Sequence, residues 1–136
     1  MFYREDRNTA FVGFCDLGVG IPKTLPLTTQ NAGEQGKLRQ ILIALSPKKQ
    51  HFNDADYIRA AIELKRSRTG QNNRGKGLLD MINVIKNNTG SLHILSNKGL
   101  YVYQCYNEQK QEYTKYYRHH SIGGTLILWS IPINTT

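Results

Sequence analysis

The sequence has little that would stabilise the chain by any means other than a packed core. Cys15 and Cys105 are the two cysteines in 136 residues, and they lack metal-binding or redox spacing, as is typical of reduced cytosolic cysteines. No apolar stretch approaches the ~18–20 residues that span a bilayer. The N-terminus, MFYREDRNTA, lacks the charged-then-apolar plan of a signal peptide. We therefore expect a cytoplasmic protein without a membrane span.

Acidic residues are scarce as well, with 10 against 18 lysines and arginines and a net charge of +8. Such a charge suits a nucleic-acid backbone, because lysine and arginine neutralise phosphates. The basic residues are spread along the chain, however, and the aromatic–basic signature of an RNA-binding sheet is absent. A basic surface is the preferred interpretation, and nucleic-acid binding is the alternative. A length of 136 residues fits one domain with its own core, so we expect a single domain over 1–136.

Hydrophobic periodicity predicts one strand and then helices in the first two thirds of the chain. TAFVGFCD predicts a buried strand that ends at Asp16, and LGVGIPKTLP after it predicts a loop. Apolar residues then recur at helical spacing over 34–46. A second helix is expected after a cap at Asn53 or Asp54, and a third begins at Gly77.

The last third predicts strands. SLHILS and LYVYQCY are joined by NKG, which is a hairpin signal, and GGTLILWSIPI predicts the final strand. Residues 112–117 fit either a further strand or a polar connection. Helices followed by a run of antiparallel strands predict an α+β fold, a two-layer sandwich with helices on one face of a mixed, mostly antiparallel sheet.

The stretch TGQNNRGKGLLDMI is one position short of the P-loop pattern G-x-x-x-x-G-K-[ST]. Gly70, Gly75 and Lys76 match, but Gly77 stands where a magnesium-binding Ser or Thr belongs. The preceding segment is also helical by its spacing, whereas a P-loop follows a strand. A helix start with flanking glycines still favours an anion, because its backbone N–H groups are free, and Arg74 and Lys76 add charge. An ordinary flexible glycine turn is the alternative.

A second segment, CDLGVGIP, indicates a site for a flat base. Asp16 ends the predicted buried strand, and Gly18 and Gly20 follow at two-residue spacing. A carboxylate in a half-dry pocket can accept a hydrogen bond from the amino group of adenine, and it rejects a base without that donor. A strand-capping Asp in a glycine turn is the alternative. A third segment, GGT ending at Thr125, by itself indicates only a turn and a strand.

Taken in the order in which they occur along the chain, the three segments resemble the GHKL superfamily of ATP-binding domains, the Bergerat fold. This superfamily includes gyrase-type topoisomerases and sensor histidine kinases. The matching stretches are DLGVGIP at 16–22, RGKGL at 74–78, GGT at 123–125 and IP at 131–132. The stretch from SRTGQ to SNKG looks especially like the bacterial kinase and anti-sigma-factor branch. The resemblance covers roughly residues 9–133.

The resemblance implies a role for each matching position. Asp16 would bind the adenine amino group, Thr125 would lie close to it directly or through water, and Ile21 would be an apolar wall. The phosphates would lie at the helix start near Lys76, and 23–73 would include a mobile lid. The implied ATP-binding residues are Asp16, Gly18, Gly20, Ile21, Arg74, Gly75, Lys76, Gly77, Leu78 and Thr125.

One element of the superfamily has no counterpart. Only fifteen residues precede Asp16, and Glu5, Asp6 and Asn8 lack the helical spacing of the Asn-bearing helix that holds magnesium. We therefore expect an N-terminally incomplete part of a larger bacterial regulatory protein, completed by a missing segment or a protein partner. Its ligands would be ATP or ADP, with Mg²⁺ only if that helix is supplied. It would act as an ATPase or protein kinase module, nearly inactive in isolation. A non-catalytic nucleotide-sensing or partner-docking module on the same fold is the alternative.

Overall fold

The computed structural model describes residues 2–4, 8–28, 32–67 and 77–133. The elements within these ranges are β1 Phe2–Arg4, β2 Thr9–Asp16, α1 Ile21–Thr28, α2 Ala32–Leu45, α3 Asp54–Ser67, α4 Gly77–Asn88, β3 Gly90–Ser96, β4 Gly99–Tyr106, β5 Gln109–Tyr116 and β6 Thr125–Pro132. No helix in this part of the chain has the length and apolar character needed to cross a membrane.

The strands form one six-stranded sheet in the order β1-β2-β6-β3-β4-β5. All five pairings among these strands are antiparallel. β6 lies between β2 and β3, so the last strand of the chain joins the N-terminal strands to the β3–β4 hairpin. The predicted α+β sandwich is confirmed, but the described strands form an antiparallel sheet and not a mixed one. The segment 112–117, for which two interpretations were open, lies mostly within β5.

The core lies between the helices and one face of the sheet. Directly paired residues of neighbouring strands point to the same face, and Ile94 is opposite both Tyr101 and Ile127. These side chains pack with Ile58 of α3 and Ile85 of α4 in the main core cluster. The apolar and aromatic residues at every second position of β3 and β4 therefore face the helices, as the sequence pattern predicts.

The start of α3 is fixed by reciprocal hydrogen bonds, which confirms the predicted cap. The backbone N–H of Asp56 donates to Oδ1 of Asn53 at 3.1 Å, and the N–H of Asn53 donates to Oδ2 of Asp56 at 2.9 Å. This is the geometry of a capping box. Lys49 Nζ and Ser46 Oγ also donate to the Asp56 carboxylate, so the connection between α2 and α3 is held by the same carboxylate.

The prediction of a loop directly after β2 is wrong from Ile21 onward, where α1 begins. The carbonyl of Gly20 accepts from the N–H of Thr24 at 3.1 Å and from its hydroxyl at 2.8 Å, which closes the first turn. Pro22 lies in that turn, where proline is tolerated. Leu25 then packs with residues of α2 and α3 in a second core cluster. Tertiary burial thus stabilises a helix that local composition disfavours.

Candidate nucleotide-binding site

The predicted base-binding residues meet where three neighbouring strands end. Asp16, at the end of β2, is opposite Thr125, the first residue of β6, and Thr125 is opposite Ser96, the last residue of β3. Side chains opposed in this way have Cβ atoms about 5 Å apart and point to the same face. A carboxylate and two hydroxyls therefore lie side by side on the helix-facing side of the sheet.

Asp16 presents its carboxylate at the surface of the described part of the chain. The N–H of Gly18 donates to Oδ1 of Asp16 at 3.1 Å, and a side chain at position 18 would begin 3.1 Å from Oδ2. Gly18 thus leaves space beside the carboxylate. The expected half-dry pocket is not formed by the described residues, because Asp16 is exposed and the neighbouring Phe14 is 51% exposed.

Gly20 is required by its backbone conformation and by a close neighbour. Its φ of 85° lies in the left-handed region. A side chain at this position would begin 2.7 Å from the amide atoms of Asn97. The Asn97 side chain in turn donates to the carbonyl of Val19 at 3.0 Å. The loop after Asp16 is therefore held against the β3–β4 turn.

Asn97 also fixes the segment before β6. Its backbone N–H donates to the carbonyl of Gly124 at 3.0 Å, and its own carbonyl accepts from the N–H of Ile122 at 3.1 Å. A side chain at Gly124 would collide with the carbonyl oxygen of Asp16. The turn of the hairpin thus positions both loops that flank the Asp16–Thr125 pair.

Ser96 connects the start of α1 to this pair. Its side chain is fully buried, and its Oγ accepts from the N–H of Ile21 at 2.9 Å. The same oxygen lies 2.8 Å from Oγ1 of Thr125 and 3.2 Å from the carbonyl oxygen of Gly124. Asp16, Gly18, Gly20, Ile21 and Thr125 thus lie together at the ends of these strands.

The predicted phosphate end is described only in part. Gly77 is the first residue of α4, it is exposed, and a side chain added there would meet no described atom within 4 Å. Leu78 packs against the main core cluster, and so does Ile21. Arg74, Gly75 and Lys76 lie outside the described residues.

The polar groups at the strand ends are one carboxylate and two hydroxyls, from Asp16, Ser96 and Thr125. Within the described ranges, no group of three or more His, Cys, Asp or Glu side chains could hold a metal. A carboxylate beside a hydroxyl, with glycines on either side, matches the adjacent donor and acceptor on the edge of adenine.

Sequence reasoning missed Ser96 and Asn97, whose sequence pattern indicates only the end of a strand and the start of a hairpin turn. Gly124 belongs to the GGT segment at 123–125, but its contact with Asn97 was not predicted. The sequence signal for Ser96 was its place two residues after Ile94, on the same face as the core residues. For Asn97 no local signal exists, because its partners are distant in the sequence.

Comparison of the chain with protein-family models, curated proteins and solved structures finds no match. The chemistry of the residues is therefore the basis for a function. Its main features are the carboxylate and hydroxyl at the strand ends, the two glycines after Asp16, and the exposed Gly77 at the start of α4.

Proposed function

We propose that the chain is an ATP-binding domain of the GHKL type, which binds adenine through Asp16 and the phosphates at the start of α4. One observation carries this proposal. Asp16 and Thr125 come from nearly opposite ends of the sequence, yet they are directly opposed in neighbouring strands. The sequence resemblance predicts this proximity, and no local sequence feature requires it.

The pair is suited to adenine by hydrogen-bond chemistry. The adenine edge carries an amino donor beside a ring acceptor, whereas guanine carries an oxygen acceptor at the corresponding exocyclic position. The Asp16 carboxylate accepts from the amino group, and the Thr125 hydroxyl can donate to the neighbouring ring nitrogen. A guanine oxygen would face the carboxylate without a hydrogen, and this mismatch disfavours GTP.

The open N-terminus of α4 supports a phosphate site. Backbone N–H groups in the first turn of a helix have no intrahelical partner, and the helix dipole adds positive potential. Since no described atom occupies the space beside Gly77, a phosphate could approach the backbone closely. In this proposal Arg74, Gly75 and Lys76, which immediately precede α4 in the sequence, complete the phosphate contacts.

We further propose that the domain is a cytoplasmic ATPase or protein kinase module of a bacterial regulatory protein, which needs another helix for activity. Phe14 lies on the helix-facing side of the sheet, opposite Ile127, but it is 51% exposed. A helix from the same protein or from a partner would cover this strip, which is the exposed end of β2 from Phe14 to Asp16. Magnesium ligands would then come from that helix.

A non-catalytic nucleotide-sensing or partner-docking module is the second candidate. It is favoured by the lack of a metal-binding cluster among the described residues. Hydrolysis assays with magnesium separate the two candidates, since a sensing module binds ATP without turnover even when a completing segment is supplied. Robust turnover by this chain alone would contradict the predicted need for another helix.

Titration calorimetry with ATP and ADP tests the adenine assignment. We expect weak binding by the wild type and about a 10- to 100-fold loss in Asp16→Ala, since a hydrogen bond to a charged group contributes about 1.5–3 kcal/mol. Glu108→Gln is the matched control, because it removes an exposed carboxylate in the β4–β5 turn. Equal affinity of the wild type and Asp16→Ala would show that Asp16 does not bind the base.

A further inference from the structure

The sheet has a second face, on which no described helix packs. Successive residues of a strand point to opposite faces, and the helices pack on the face that carries Ile94 and Tyr101. The residues between these positions in the strands form the other face, which we call the open face. Its main residues are Leu95, Leu100, Leu126, Leu128, Tyr113 and Lys115.

Leucines dominate the centre of the open face and remain accessible. Leu95 is directly opposite both Leu100 and Leu126, and all three are half-buried. Leu128 is 43% exposed and Tyr113 is 42% exposed. A contiguous apolar patch that is not covered by the protein's own helices is typical of a binding surface.

The other residues of the open face keep this patch flat and without unsatisfied hydroxyls. Ser91 and Ser130 lie directly opposite each other, and their buried hydroxyl oxygens are 2.7 Å apart, so each has a partner. A side chain at Gly13 would begin 3.3 Å from a methyl group of Leu128. Leu128 therefore lies against the backbone of β2, and the surface there suits the apolar side of a packed helix.

The charge beside the patch is positive. Lys115 is directly opposite Leu100, and its Nζ lies 4.9 Å from the centre of the Tyr117 ring. Glu112, in the same strand, points to the helix-facing side, where it pairs with Arg59 at 3.4 Å. In the described strands from β2 to β5, no Asp or Glu occupies a ladder position of the open face.

Further basic residues follow at the same end of the face. The N–H of Tyr117 donates to the carbonyl of Lys98 at 2.8 Å, and Nζ of Lys98 donates to the carbonyl of Arg118 at 2.8 Å. Arg118 is exposed. These bonds hold the end of β5 and the residues after it against the β3–β4 turn, next to Leu95 and Leu100.

This charge distinguishes between the candidate occupants of the open face. A second copy of the chain would bring another net charge of +8 and the same basic side chains, which is repulsive. A nucleic acid would need phosphate contacts and aromatic stacking, and leucine side chains provide neither. An acidic amphipathic helix matches both properties, because its apolar side covers the leucines and its carboxylates meet Lys115.

We propose that the open face binds an acidic amphipathic helix of a partner protein. From β2 to β5 the face spans four strand spacings, or about 19 Å, which is the length of a helix of about 13 residues. This inference goes beyond ATP binding, because Asp16 and Thr125 lie on the other face of the sheet. It also differs from the helix proposed to complete the domain, which would cover Phe14 on the helix-facing side.

Fluorescence anisotropy with two designed peptides tests the proposal. One is a helical peptide of about 14 residues with leucines on one side and glutamates on the other, and its counterpart has lysines in place of the glutamates. We expect the wild type to bind the glutamate peptide about 10-fold more tightly at low salt, with a ratio that falls as salt is added. Lys115→Glu should lower this ratio by about 3-fold or more, because it reverses the charge beside the patch.

Two substitutions of equal charge locate the binding surface. Leu128→Glu should weaken binding of the glutamate peptide about 10-fold or more, because it places a carboxylate in the apolar patch. Ile43→Glu is the matched control, since it adds the same charge at a 49% exposed side chain of α2, and affinity should stay within about 2-fold of the wild type. If Leu128→Glu does not fold, Tyr113→Glu takes its place with the same expected loss.

Several results would overturn the inference. They are no binding of the glutamate peptide, equal binding of the two peptides, or equal affinity of the wild type and Leu128→Glu. A wild-type dimer in sedimentation that Leu128→Glu dissociates would assign the face to a second copy. Binding of oligothymidine that Leu128→Glu abolishes would assign it to a nucleic acid.

ATP affinity, measured by calorimetry in the same variants, separates this inference from the proposed function. Leu128→Glu should leave ATP affinity unchanged, because Leu128 is on the face opposite Asp16. A chain that binds the glutamate peptide as expected but not ATP would contradict only the ATP-binding proposal. A chain that binds ATP but not the peptide would contradict only the inference about the open face.

Discussion

The two halves of the sheet are held in different ways. In β3 and β4, side chains such as Leu92, Ile94 and Tyr101 are fully buried under α3 and α4. In β2, which lies on the other side of β6, burial decreases along the strand until Phe14, Cys15 and Asp16 are exposed. Apolar packing therefore stabilises the half of the sheet that contains β3 and β4, which is the half covered by the helices.

Hydrogen bonds from the end of β3 and from the turn after it hold the segment that follows β2. Ser96 and Asn97 contact this segment through Ile21 and Val19, and both are buried polar residues. Satisfied buried polar groups specify one arrangement of the chain more than they add stability. We therefore expect substitutions in the two halves to separate folding stability from ligand binding.

The largest effect on stability is expected in the helix-covered half. Ile85→Ala should lower the free energy of unfolding by about 2–5 kcal/mol, because it leaves a cavity in a fully buried site. Ile43→Ala is the matched control, since Ile43 also lies in a helix but is 49% exposed, and it should cost less than about 1 kcal/mol. Urea unfolding measures both, and equal losses would contradict the assigned core.

An intermediate effect on stability is expected at Gly20, in the loop between β2 and α1 that contacts Asn97. Gly20→Ala should lower stability by about 1–3 kcal/mol, because φ is 85° and the new Cβ would begin 2.7 Å from Asn97. Gly36→Ala, in α2 with open space around it, should instead raise stability by about 0.4–1 kcal/mol. Thermal unfolding distinguishes the two. A neutral Gly20→Ala would show that the loop can leave Asn97 at little cost.

A small effect on stability is expected at the uncovered strip of β2. Phe14→Ser should change the free energy of unfolding by less than about 1 kcal/mol, because the ring is already half exposed. A loss above about 2 kcal/mol in urea unfolding would place Phe14 in the core and remove the contrast between the halves. The same substitution should weaken association with any helix that covers this strip.

The smallest effect is a pH dependence of stability from His93. This residue is in β3, but its side chain is on the face of the sheet opposite the helices. Burial lowers the pKa of His93 below its usual 6.5, and its strand neighbours Val102 and Leu128 are uncharged. Below pH 6.5 the unfolded chain therefore binds more protons than the folded one. Stability is fully present above pH 6.5 and decreases as the pH falls toward the lowered pKa. His93→Gln should remove this component in urea unfolding across that range, and an unchanged pH profile would contradict it.

Much of the helix-covered half could be predicted from the sequence, because its signals are local. The apolar spacing of α3 and α4 and the Asn53 cap each act within a few residues. The strand β5, QKQEYTKY, was ambiguous because an edge strand needs no alternating apolar face.

The candidate site could be predicted only through its motifs. Asp16 and Thr125 were expected to be close because of the resemblance, and their register agrees with it. The contacts of Asn97 with Val19 and Gly124 depend on distant parts of the chain, so no local pattern encodes them. The start of α1 was missed for the same reason, since its helical turn depends on burial of Leu25 in tertiary contacts.

The contacts of Asn97 limit how the length of this chain can vary. Inserting one residue between β3 and β4 would rotate the Asn97 amide away from Val19 and move its backbone away from Gly124, so both loops would lose their anchor together. The turn at Asn107 and Glu108 is exposed at the opposite end of β4. A library of single-residue insertions should therefore be depleted at the first turn and tolerated at the second.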